Sequence, residues 1–433
     1  MQKQGQVRVW KPDALPADWF RRQKADEKAT QEVDCSVKAI INQVKADGDG
    51  ALVEFALKFD KAELTLRALK VKSGEIKEAY TKVTKQQISA LQFVKEKVNA
   101  YQKQLLTQTD IKTTNDGIAV QTVLRPIESV GCYVPGGQAA YPSTLVMTAV
   151  PAKVAGVPRI VVCSPSDAKG KVNPLVLVAA DICGVDEVYR VGGAQAIAAL
   201  AYGTKTITPV RKIVGPGNKY VTAAKIQVST DVAIDMPAGP SEVLVLADES
   251  ADARFIAFDM VSQAEHGGDS VAGLITTSER VALQVQENLS KIVASAERGE
   301  KVSEALSKFG FIIVCNSMDE AVCLVNQFAP EHLEVMTAEP KELAEKLTAG
   351  LILIGPYSPV ALSDYGSGTN HVLPTGGFAQ SFSGLSAFDF MRRVSIVESS
   401  RMGLERVKDS IKVMTETENL PNHYKAIQAR FEK

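Results

Sequence analysis

RIVVCS (159–164) begins the stretch of the chain that decides the fold, and DEVYRVG (186–192) and RKIVG (211–215) continue it. All three are short apolar runs rich in β-branched residues, as expected of strands buried on both faces. Helical patterns follow them at 173–183, 193–202 and 218–228. A strand-helix order that repeats in this way predicts a parallel sheet flanked by helices.

A second series of apolar runs begins after PAGP (237–240) and has helical patterns between its members. Its predicted strands are EVLVLAD (242–248), SVAGLITT (270–277), FIIVC (311–315), LEVM (333–336) and LILIG (351–355). We therefore expect an α/β fold built from two consecutive doubly wound, incomplete Rossmann-like units. No sequence repetition between the two series is visible, so a duplication is only a hypothesis.

Helical segments precede and follow these two series. Apolar residues at helical spacing predict an amphipathic helix over about 28–46, which DGDG (47–50) ends, and a longer helix over about 86–107. Short strands are expected over about 117–134, and from about 386 the chain is predicted to be a charged, helical tail.

These patterns predict four parts. They are an N-terminal segment (1–25), an α/β domain (26–132 with 242–385), a second α/β domain (133–241), and a C-terminal helical tail (386–433).

The composition argues against several classes of protein. The 433 residues include 49 Lys and Arg against 50 Asp and Glu, so the chain has no basic footprint for nucleic acid. The first residues, MQKQGQVRVW, contain no apolar run of the signal-peptide type, and no run is long enough to span a membrane. Six cysteines without CxxC spacing suit reduced thiols, so we expect a cytoplasmic protein.

Histidine is scarce, and a lone histidine is more often structural than functional. The four are His266, His332, His371 and His423. Each has a carboxylate or carboxamide nearby in sequence, and each falls at the end of a predicted element, where binding sites of parallel sheets gather. A ligand set of His, Asp and Gln without cysteine would suit Zn²⁺ or Mn²⁺. The simpler interpretation of Gln263 is a helix-end hydrogen-bonding residue, and that of Asp364 a loop cap.

The adjacent pair Glu331 and His332 is more informative, because a carboxylate and an imidazole supply two bases of different pKa. In a regular strand their side chains would point to opposite faces. Both would enter one site only if Pro330 imposes an irregular turn.

Three glycine-rich loops lie at strand ends, where backbone N–H groups can meet phosphate. They are YVPGG (133–137), GGAQ (192–195) and GPGN (215–218). None has the GxGxxG spacing of the usual dinucleotide fingerprint. Taken one at a time, each is also explained as an ordinary turn.

Taken together, these segments resemble histidinol dehydrogenases. The resemblance rests on YVPGGQAAYPSTLVM (133–147), PAKVAGV (151–157), GGAQAIAALAYGT (192–204), GPGNKYVTAAK (215–225), DMPAGPSEVLV (235–245), QAEH (263–266), APEHLE (329–334) and SDYGSGTNHVLPT (363–375). DGDGALVEFALKFD (47–60) and ENLPNHYKAIQARF (418–431) also fit, so the resemblance covers nearly the whole chain. It implies oxidation of L-histidinol to L-histidine through the aldehyde with two NAD⁺, by a zinc-binding alcohol and aldehyde dehydrogenase.

The resemblance also implies roles for individual residues. The metal ligands would be Gln263, His266, Asp364 and His423, with Zn²⁺ as the expected ion and Mn²⁺ as the alternative. Glu331 and His332 match the catalytic bases. Substrate-contacting positions would be Ser241, Gln263, His266, His332, Asp364, His371, Glu418 and His423. NAD-binding positions would be Tyr133, Gln195 and Asn218. The family forms homodimers with shared active sites, in which the tail completes the neighbour's site.

Other functions compete with this interpretation. The chain could be a relative that oxidises another small hydroxylated substrate, although the retained Glu418 and His423 argue against it. A zinc hydrolase would leave the Tyr133, Gln195 and Asn218 loops unexplained. A non-catalytic NAD-binding protein would leave the Glu331–His332 pair without a purpose. A cysteine-nucleophile aldehyde dehydrogenase would use Cys132, but no base is visible near it in sequence.

Overall fold

The structure, a computed structural model, describes residues 7–16, 19, 27–107, 111–136, 140–236 and 238–432. It contains two parallel sheets and one antiparallel sheet, surrounded by helices. No helix within these ranges combines the length and the apolar character needed to cross a membrane. The predicted α/β class is therefore confirmed.

The N-terminal region is a short strand followed by helices. Its elements are β1 (Arg8–Trp10), α1 (Glu27–Asp47), α2 (Asp49–Phe55), α3 (Ser73–Tyr80) and α4 (Lys85–Leu106). The helix α1 ends where predicted, because Gly48 adopts a φ of +57° that interrupts the helix. The start of α4 is fixed by Thr84, whose hydroxyl accepts a hydrogen bond from the Gln87 N–H.

A five-stranded parallel sheet comes next, after the hairpin of β2 (Ile111–Asn115) and β3 (Ile118–Pro126). Its strands are β4 (Ser129–Tyr133), β5 (Arg159–Cys163), β6 (Glu187–Tyr189), β7 (Lys212–Val214) and β8 (Ala233–Ile234). Its connecting helices are α5 (Pro142–Ala155), α6 (Pro174–Cys183), α7 (Gly193–Tyr202) and α8 (Lys219–Val228). The order across the sheet is β6-β5-β4-β7-β8.

A six-stranded parallel sheet is formed by the second series together with β1. Its strands are β9 (Glu242–Ala247), β10 (Val271–Thr276), β11 (Phe311–Val314), β12 (His332–Met336) and β13 (Leu351–Ile354), in the order β1-β11-β10-β9-β12-β13. Its helices are α9 (Ala253–Ala264), α10 (Glu279–Ser295), α11 (Gly299–Phe309), α12 (Met318–Phe328), α13 (Pro340–Ala344) and α14 (Val360–Tyr365). The pairing of β1 with β11 ties the N-terminal segment to this sheet.

Both parallel sheets are buried on their two faces. In β9, Val243 and Val245 belong to the core on one face, whereas Leu244 and Leu246 belong to the core on the other. Numbered by their appearance in the chain, the strands of both series have the same order, 3-2-1-4-5. Helices that cover both faces explain why these strands are continuous apolar runs.

The N-terminal helices group differently from our expectation. Residues 26–132 were expected to form one domain with 242–385, but α1 and α2 pack on α7, and α3 and α4 pack on α6 and α5. The strand β4 at 129–133 also belongs to the five-stranded sheet, so this unit begins before residue 133. The amphipathic faces of α1–α4 therefore complete the cores of the five-stranded sheet rather than those of the six-stranded one.

The tail is not wholly helical, which corrects a second expectation. A strand, β14 (Met391–Ser399), precedes the helices α15 (Arg401–Thr417) and α16 (Pro421–Gln428). It pairs antiparallel with β3 along its whole length, from Met391 opposite Pro126 to Ser399 opposite Ile118. This strand is held by a partner more than 260 positions earlier in the chain, which a local pattern cannot reveal.

Candidate functional site

The candidate catalytic and substrate-binding residues meet at the amino edge of the six-stranded sheet, which is the edge where its strands begin. Ser241 immediately precedes β9, Glu331 immediately precedes β12, and His332 is the first residue of β12. The helices α9 and α14 bring further residues to this region at their C-terminal ends: Gln263, His266 and Asp364. Ligands of open parallel sheets usually bind at the carboxyl edge, so the edge itself differs from the general pattern.

A turn before β12 brings both candidate bases into one site. Ala329 ends α12 with a φ of +43°, in the left-handed region, and Pro330 follows. As a result, Glu331 Oε2 lies 3.6 Å from His332 Nδ1, although the two residues are adjacent in sequence. The condition for both side chains to enter one site, an irregular turn at Pro330, is therefore met, with the unusual backbone angle one residue earlier.

The surroundings of His332 determine which of its nitrogens can act as a base. Its Nδ1 lies 3.2 Å from the carbonyl oxygen of Glu242, which can only accept a hydrogen bond. The proton therefore belongs on Nδ1, and Nε2 keeps its lone pair. Nε2 is buried, has no hydrogen-bond partner among the described residues, and lies 3.9 Å from Asp364 Oδ1.

Carboxylates set the charge balance around the imidazoles. Burial opposes protonation of His332, but Glu331 and Asp364 outweigh it, so the pKa of His332 is raised. His371 Nδ1 lies 3.6 Å from Asp364 Oδ1, yet burial lowers the pKa of His371, and the charges of His332 and His266 lower it further. The structure thus brings four of the expected residues, Glu331, His332, Asp364 and His371, into direct proximity, with His266 beside them.

Glu242 is a functional residue that sequence reasoning missed. Its backbone N–H donates to Glu331 Oε2 at 2.8 Å, and its carboxylate accepts from the N–H groups of Glu331 at 3.3 Å and Gly376 at 3.0 Å. Only 2% of its surface is exposed. Glu242 therefore orients both bases, and the signal in the sequence was a carboxylate at the start of an otherwise apolar strand.

The donor set at this edge fits a metal cation, although the described residues do not complete a site. Asp364 Oδ1 is buried and lacks a hydrogen-bond donor in the part of the chain that the structure covers, which favours a cation nearby. Gln263 and His266 lie where α9 ends, and the C-terminal end of a helix favours positive charge. Within the described ranges, no three His, Cys, Asp or Glu side chains form a metal cluster.

The two candidate residues of the tail are not part of this cluster. Glu418 follows α15 and His423 lies in α16, and both are exposed. The helix α16 packs on α15, and α15 packs against β14, the edge strand of the antiparallel sheet. A single chain therefore leaves these two residues apart from the other expected ligands.

The positions expected to contact NAD lie at the carboxyl edge of the five-stranded sheet. Tyr133 ends β4, Gln195 lies in the first turn of α7, and Asn218 caps α8 by accepting from the N–H groups of Tyr220 and Val221. The Tyr133 hydroxyl accepts a hydrogen bond from the Gly193 N–H at 3.0 Å. Asn218 is exposed, whereas Tyr133 is 4% and Gln195 2% exposed.

The rest of these loops is only partly described. Gly137, which closes the loop YVPGG, lies outside the described residues. The other two loops, at 192–195 and 215–218, are described in full, and each leads directly into a helix, as predicted.

The two regions are joined through α5, the helix that follows β4. The Asn370 side-chain amide, one residue before His371, donates to the carbonyl oxygen of Met147 in α5 at 2.7 Å. Tyr141, which precedes α5, is close enough to Tyr365 to contribute to raising the pKa of Tyr365, after burial and the charges of Asp364 and Glu265. The loop bearing His371 therefore rests on the five-stranded unit.

Cys132 does not have the properties of a nucleophile. Its side chain is fully buried in β4, and burial raises the pKa of its thiol to about 12. A thiol in this environment stays protonated and inert near neutral pH. The cysteine-nucleophile alternative is therefore not supported.

Comparisons with known proteins agree on one family. Residues 22–431 match the family model described as histidinol dehydrogenase. A histidinol dehydrogenase of Clostridium acetobutylicum is 46% identical over 405 residues, which cover 93% of this chain and 94% of that one. One from Methanocaldococcus jannaschii is 44% identical over 402 residues, covering 92% and 93%. The crystal structure of histidinol dehydrogenase from Elizabethkingia anophelis superimposes with a TM-score of 0.91 at 36% identity, covering 98% of each chain.

Proposed function

The chain belongs to the histidinol dehydrogenase family, and from this premise we propose that it oxidises L-histidinol to L-histidine through histidinal, with NAD⁺ as the oxidant. This reaction is the last step of histidine biosynthesis. We therefore propose that the protein works in the cytoplasm. The observation that carries the proposal is the buried pair of Glu331 and His332, 3.6 Å apart and both held by Glu242. Two bases in one site suit two successive oxidations.

His332 is the base for the alcohol. With Nδ1 bonded to the Glu242 carbonyl, Nε2 is free to accept the hydroxyl proton as the alcohol loses hydride and becomes the aldehyde. The raised pKa of His332, due to Glu331 and Asp364 despite burial, lets the imidazole hold that proton before releasing it. Asp364 lies close enough to stabilise the imidazolium that forms.

Glu331 is the base for water. Oxidation of the aldehyde needs a water molecule to add to the carbonyl carbon, and Glu331 removes the proton from that water. Glu331 then returns that proton to the former carbonyl oxygen, which gives the hydrated aldehyde. In the second oxidation one hydroxyl proton of the hydrate passes to His332 and its hydride passes to NAD⁺. The Glu242 N–H at 2.8 Å holds the Glu331 carboxylate in a fixed orientation for this step.

A metal ion and the dinucleotide complete the chemistry. Gln263, His266 and Asp364, with His423, would hold the metal, expected to be Zn²⁺ or otherwise Mn²⁺. When bound, the metal orients the imidazole and amine of the substrate, and NAD⁺ accepts the hydride. The substrate would also contact Ser241, His371 and Glu418, while Tyr133, Gln195 and Asn218 would contact the dinucleotide.

The active unit is proposed to be a homodimer that shares its sites. Glu418 and His423 are exposed on a tail whose helices pack mainly on each other and on an edge strand. Short helices of this kind need packing partners. The tail of one subunit would therefore bring its His423 to the Asp364 cluster of the other.

The stoichiometry of the reaction tests the proposal. Purified protein given limiting histidinol and excess NAD⁺ should form two NADH for each histidinol, followed by absorbance, and histidine should be the product. Release of histidinal with one NADH for each substrate would contradict the four-electron reaction. No NADH at all with histidinol would contradict the assigned substrate.

A further inference from the structure

A buried ion pair lies behind the loop of Asn218, where none of the proposed reaction steps uses it. Lys225 of α8 pairs with Asp235, which directly follows β8, and their side chains are 4% and 1% exposed. Both charges are therefore removed from water inside the five-stranded unit. Such a pair needs an explanation, because desolvating two charges is costly.

Both members of the pair bind the same backbone residue. Asp235 Oδ2 accepts a hydrogen bond from the Gly215 N–H at 2.7 Å, and Lys225 Nζ donates to the Gly215 carbonyl oxygen at 3.0 Å. The N–H and the carbonyl oxygen of Gly215 are thus hydrogen-bonded to two side chains of opposite charge, which also form an ion pair with each other. Three elements meet there: the end of β7, the interior of α8 and the end of β8.

Stability alone does not explain the pair. Well-packed apolar residues in place of a buried ion pair are often neutral or stabilising, whereas removal of one partner is strongly destabilising. What an apolar pair would not reproduce is the pair of hydrogen bonds to Gly215. The specific contribution of Lys225 and Asp235 is therefore the position of that residue.

The position of Gly215 matters because it touches the end of β4. Val214 pairs with Cys132, so Gly215 lies beside Tyr133 in the sheet. Gly215 has a φ of +116°, and a Cβ at this position would overlap the carbonyl oxygen of Tyr133. Three residues later, Asn218 begins α8. Fixing Gly215 therefore fixes the spacing between Tyr133 and Asn218.

We propose that Lys225 and Asp235 are positioning residues for dinucleotide binding, which hold the loop 215–218 against the end of β4. This inference rests on the proposed function, since Tyr133 and Asn218 are the expected NAD contacts. The ion pair touches neither the dinucleotide nor the substrate. It acts only through the backbone of Gly215.

The test replaces the pair by apolar residues in the holoenzyme. The double variant Lys225→Met/Asp235→Leu removes both charges together and so avoids a lone buried charge. We expect KM for NAD⁺ and the dissociation constant of NADH, measured by fluorescence, to rise by about tenfold or more. The KM for histidinol should stay within about twofold, because the six-stranded edge is untouched. Hydrogen exchange measured by mass spectrometry should also become faster in a peptide that contains Gly215.

Two further variants keep the test decisive. Lys225→Met/Asp235→Asn also removes both charges but keeps the shape of the Asp235 side chain, and because the Lys225 hydrogen bond to Gly215 is lost it should raise KM for NAD⁺ in the same direction if the first double variant does not fold. A matched control is Arg159→Met/Glu187→Leu. It removes a 2.7 Å ion pair between β5 and β6, on the side of the same sheet that lies away from β8. This control should leave KM for NAD⁺ unchanged.

The outcomes separate the inference from the function on which it rests. Asn218→Asp, which keeps the helix cap but changes the expected contact, should weaken NAD⁺ binding. If Asn218→Asp weakens it and the folded double variant does not, the positioning role is overturned and the proposed function stands. If Asn218→Asp leaves NAD⁺ binding unchanged, the assigned dinucleotide site itself is wrong. Equal losses in the ion-pair variant and its control would also overturn the inference.

Discussion

The two series of parallel strands share the order 3-2-1-4-5, but their candidate residues lie at opposite edges of the two sheets. In the five-stranded sheet, the residues expected to contact NAD lie where β4 ends and where α7 and α8 begin. In the six-stranded sheet, the candidate bases lie where β12 begins, Ser241 lies where β9 begins, and candidate ligands lie where α9 and α14 end. One topology thus places the two groups of candidate residues at opposite edges.

The difference follows from the polarity of helices. A helix that follows a strand starts at the carboxyl edge and returns to the amino edge. The carboxyl edge therefore presents helix N-termini, which attract phosphate, and the amino edge presents helix C-termini, which attract cations. A dinucleotide with two phosphates suits the first edge, and a divalent metal with its substrate suits the second.

The support beneath each edge differs as well. Behind the dinucleotide loops, a lysine and an aspartate form a buried ion pair. In the six-stranded unit, Glu334 of β12 instead faces Asp259 of α9, and burial followed by the charge of Asp259 raises the pKa of Glu334 well above its ordinary value. One edge is supported by opposite charges and the other by two neighbouring carboxyl groups, whose pKa values are both raised by burial.

The largest expected effect is on water activation at the amino edge. Glu331→Gln should slow the oxidation of supplied histidinal by about 10²-fold or more, the usual loss on removing a general base. Oxidation of histidinol to histidinal should fall far less, because that step needs no water. The rates of the two half-reactions, measured separately in a rapid-mixing spectrophotometer, check this. Equal losses in both half-reactions would show that Glu331 is not specifically the base that activates water, with His332 as the base for the hydroxyl proton.

The next effect separates the two edges by ligand. His266→Asn should lower metal affinity by at least the roughly tenfold that even outer-shell changes cause, and histidinol affinity should fall with it. NADH binding to the other edge should persist, because Tyr133 and Asn218 belong to a different sheet. Metal content by elemental analysis and NADH binding by fluorescence give independent readouts. Undiminished metal content in the variant would remove His266 from the ligand set.

Local patterns were enough to predict the buried strands and part of the site. The residues at 243–247 and 311–315 are apolar at successive positions, because β9 and β11 are covered on both faces. The cluster of Glu331, His332 and Asp364 followed from the resemblance to a family, and the contact distances came only from the structure.

What the sequence did not reveal depends on contacts between distant residues. The strand β14 exists because β3 pairs with it, and α1–α4 join the five-stranded unit because α5–α7 cover their apolar faces. Glu242 was overlooked because its partners, Glu331 and Gly376, lie 89 and 134 positions away. Periodicity carries no information about such separations.

Complementation between two inactive variants tests whether the site at the amino edge needs a second subunit. Mixing the inactive variants His332→Asn and His423→Asn should restore activity to about one quarter of wild type, because half of the dimers are mixed and each has one intact site. The expectation rests on the exposed tail, which carries His423 away from Asp364 within one chain. Subunit exchange must be verified with differently tagged chains. Exchange without recovered activity would mean that both residues act within one chain.

The smallest effect concerns the carboxyl pair under the amino edge. Glu334 is 1% exposed, its Oε1 accepts from the Val360 N–H at 2.9 Å, and Asp259, whose pKa burial raises to about 6, faces it. Since the pKa of Glu334 is raised on folding, the native state binds more protons than the unfolded state, and stability falls as pH rises through the raised value.

Glu334→Gln keeps the shape of the side chain and cannot ionise. It should therefore remove part of the loss of stability that accompanies a rise in pH. In metal-free protein, urea unfolding should give a free energy of unfolding that declines less between pH 5.5 and 8.5 than in wild type. The exposed Glu342→Gln serves as the matched control and should follow wild type. If Glu334→Gln also followed wild type, Glu334 would have to be ionised in the native state. The amino edge would then be supported by a buried charge, as the carboxyl edge is, and the contrast between the two supports would disappear.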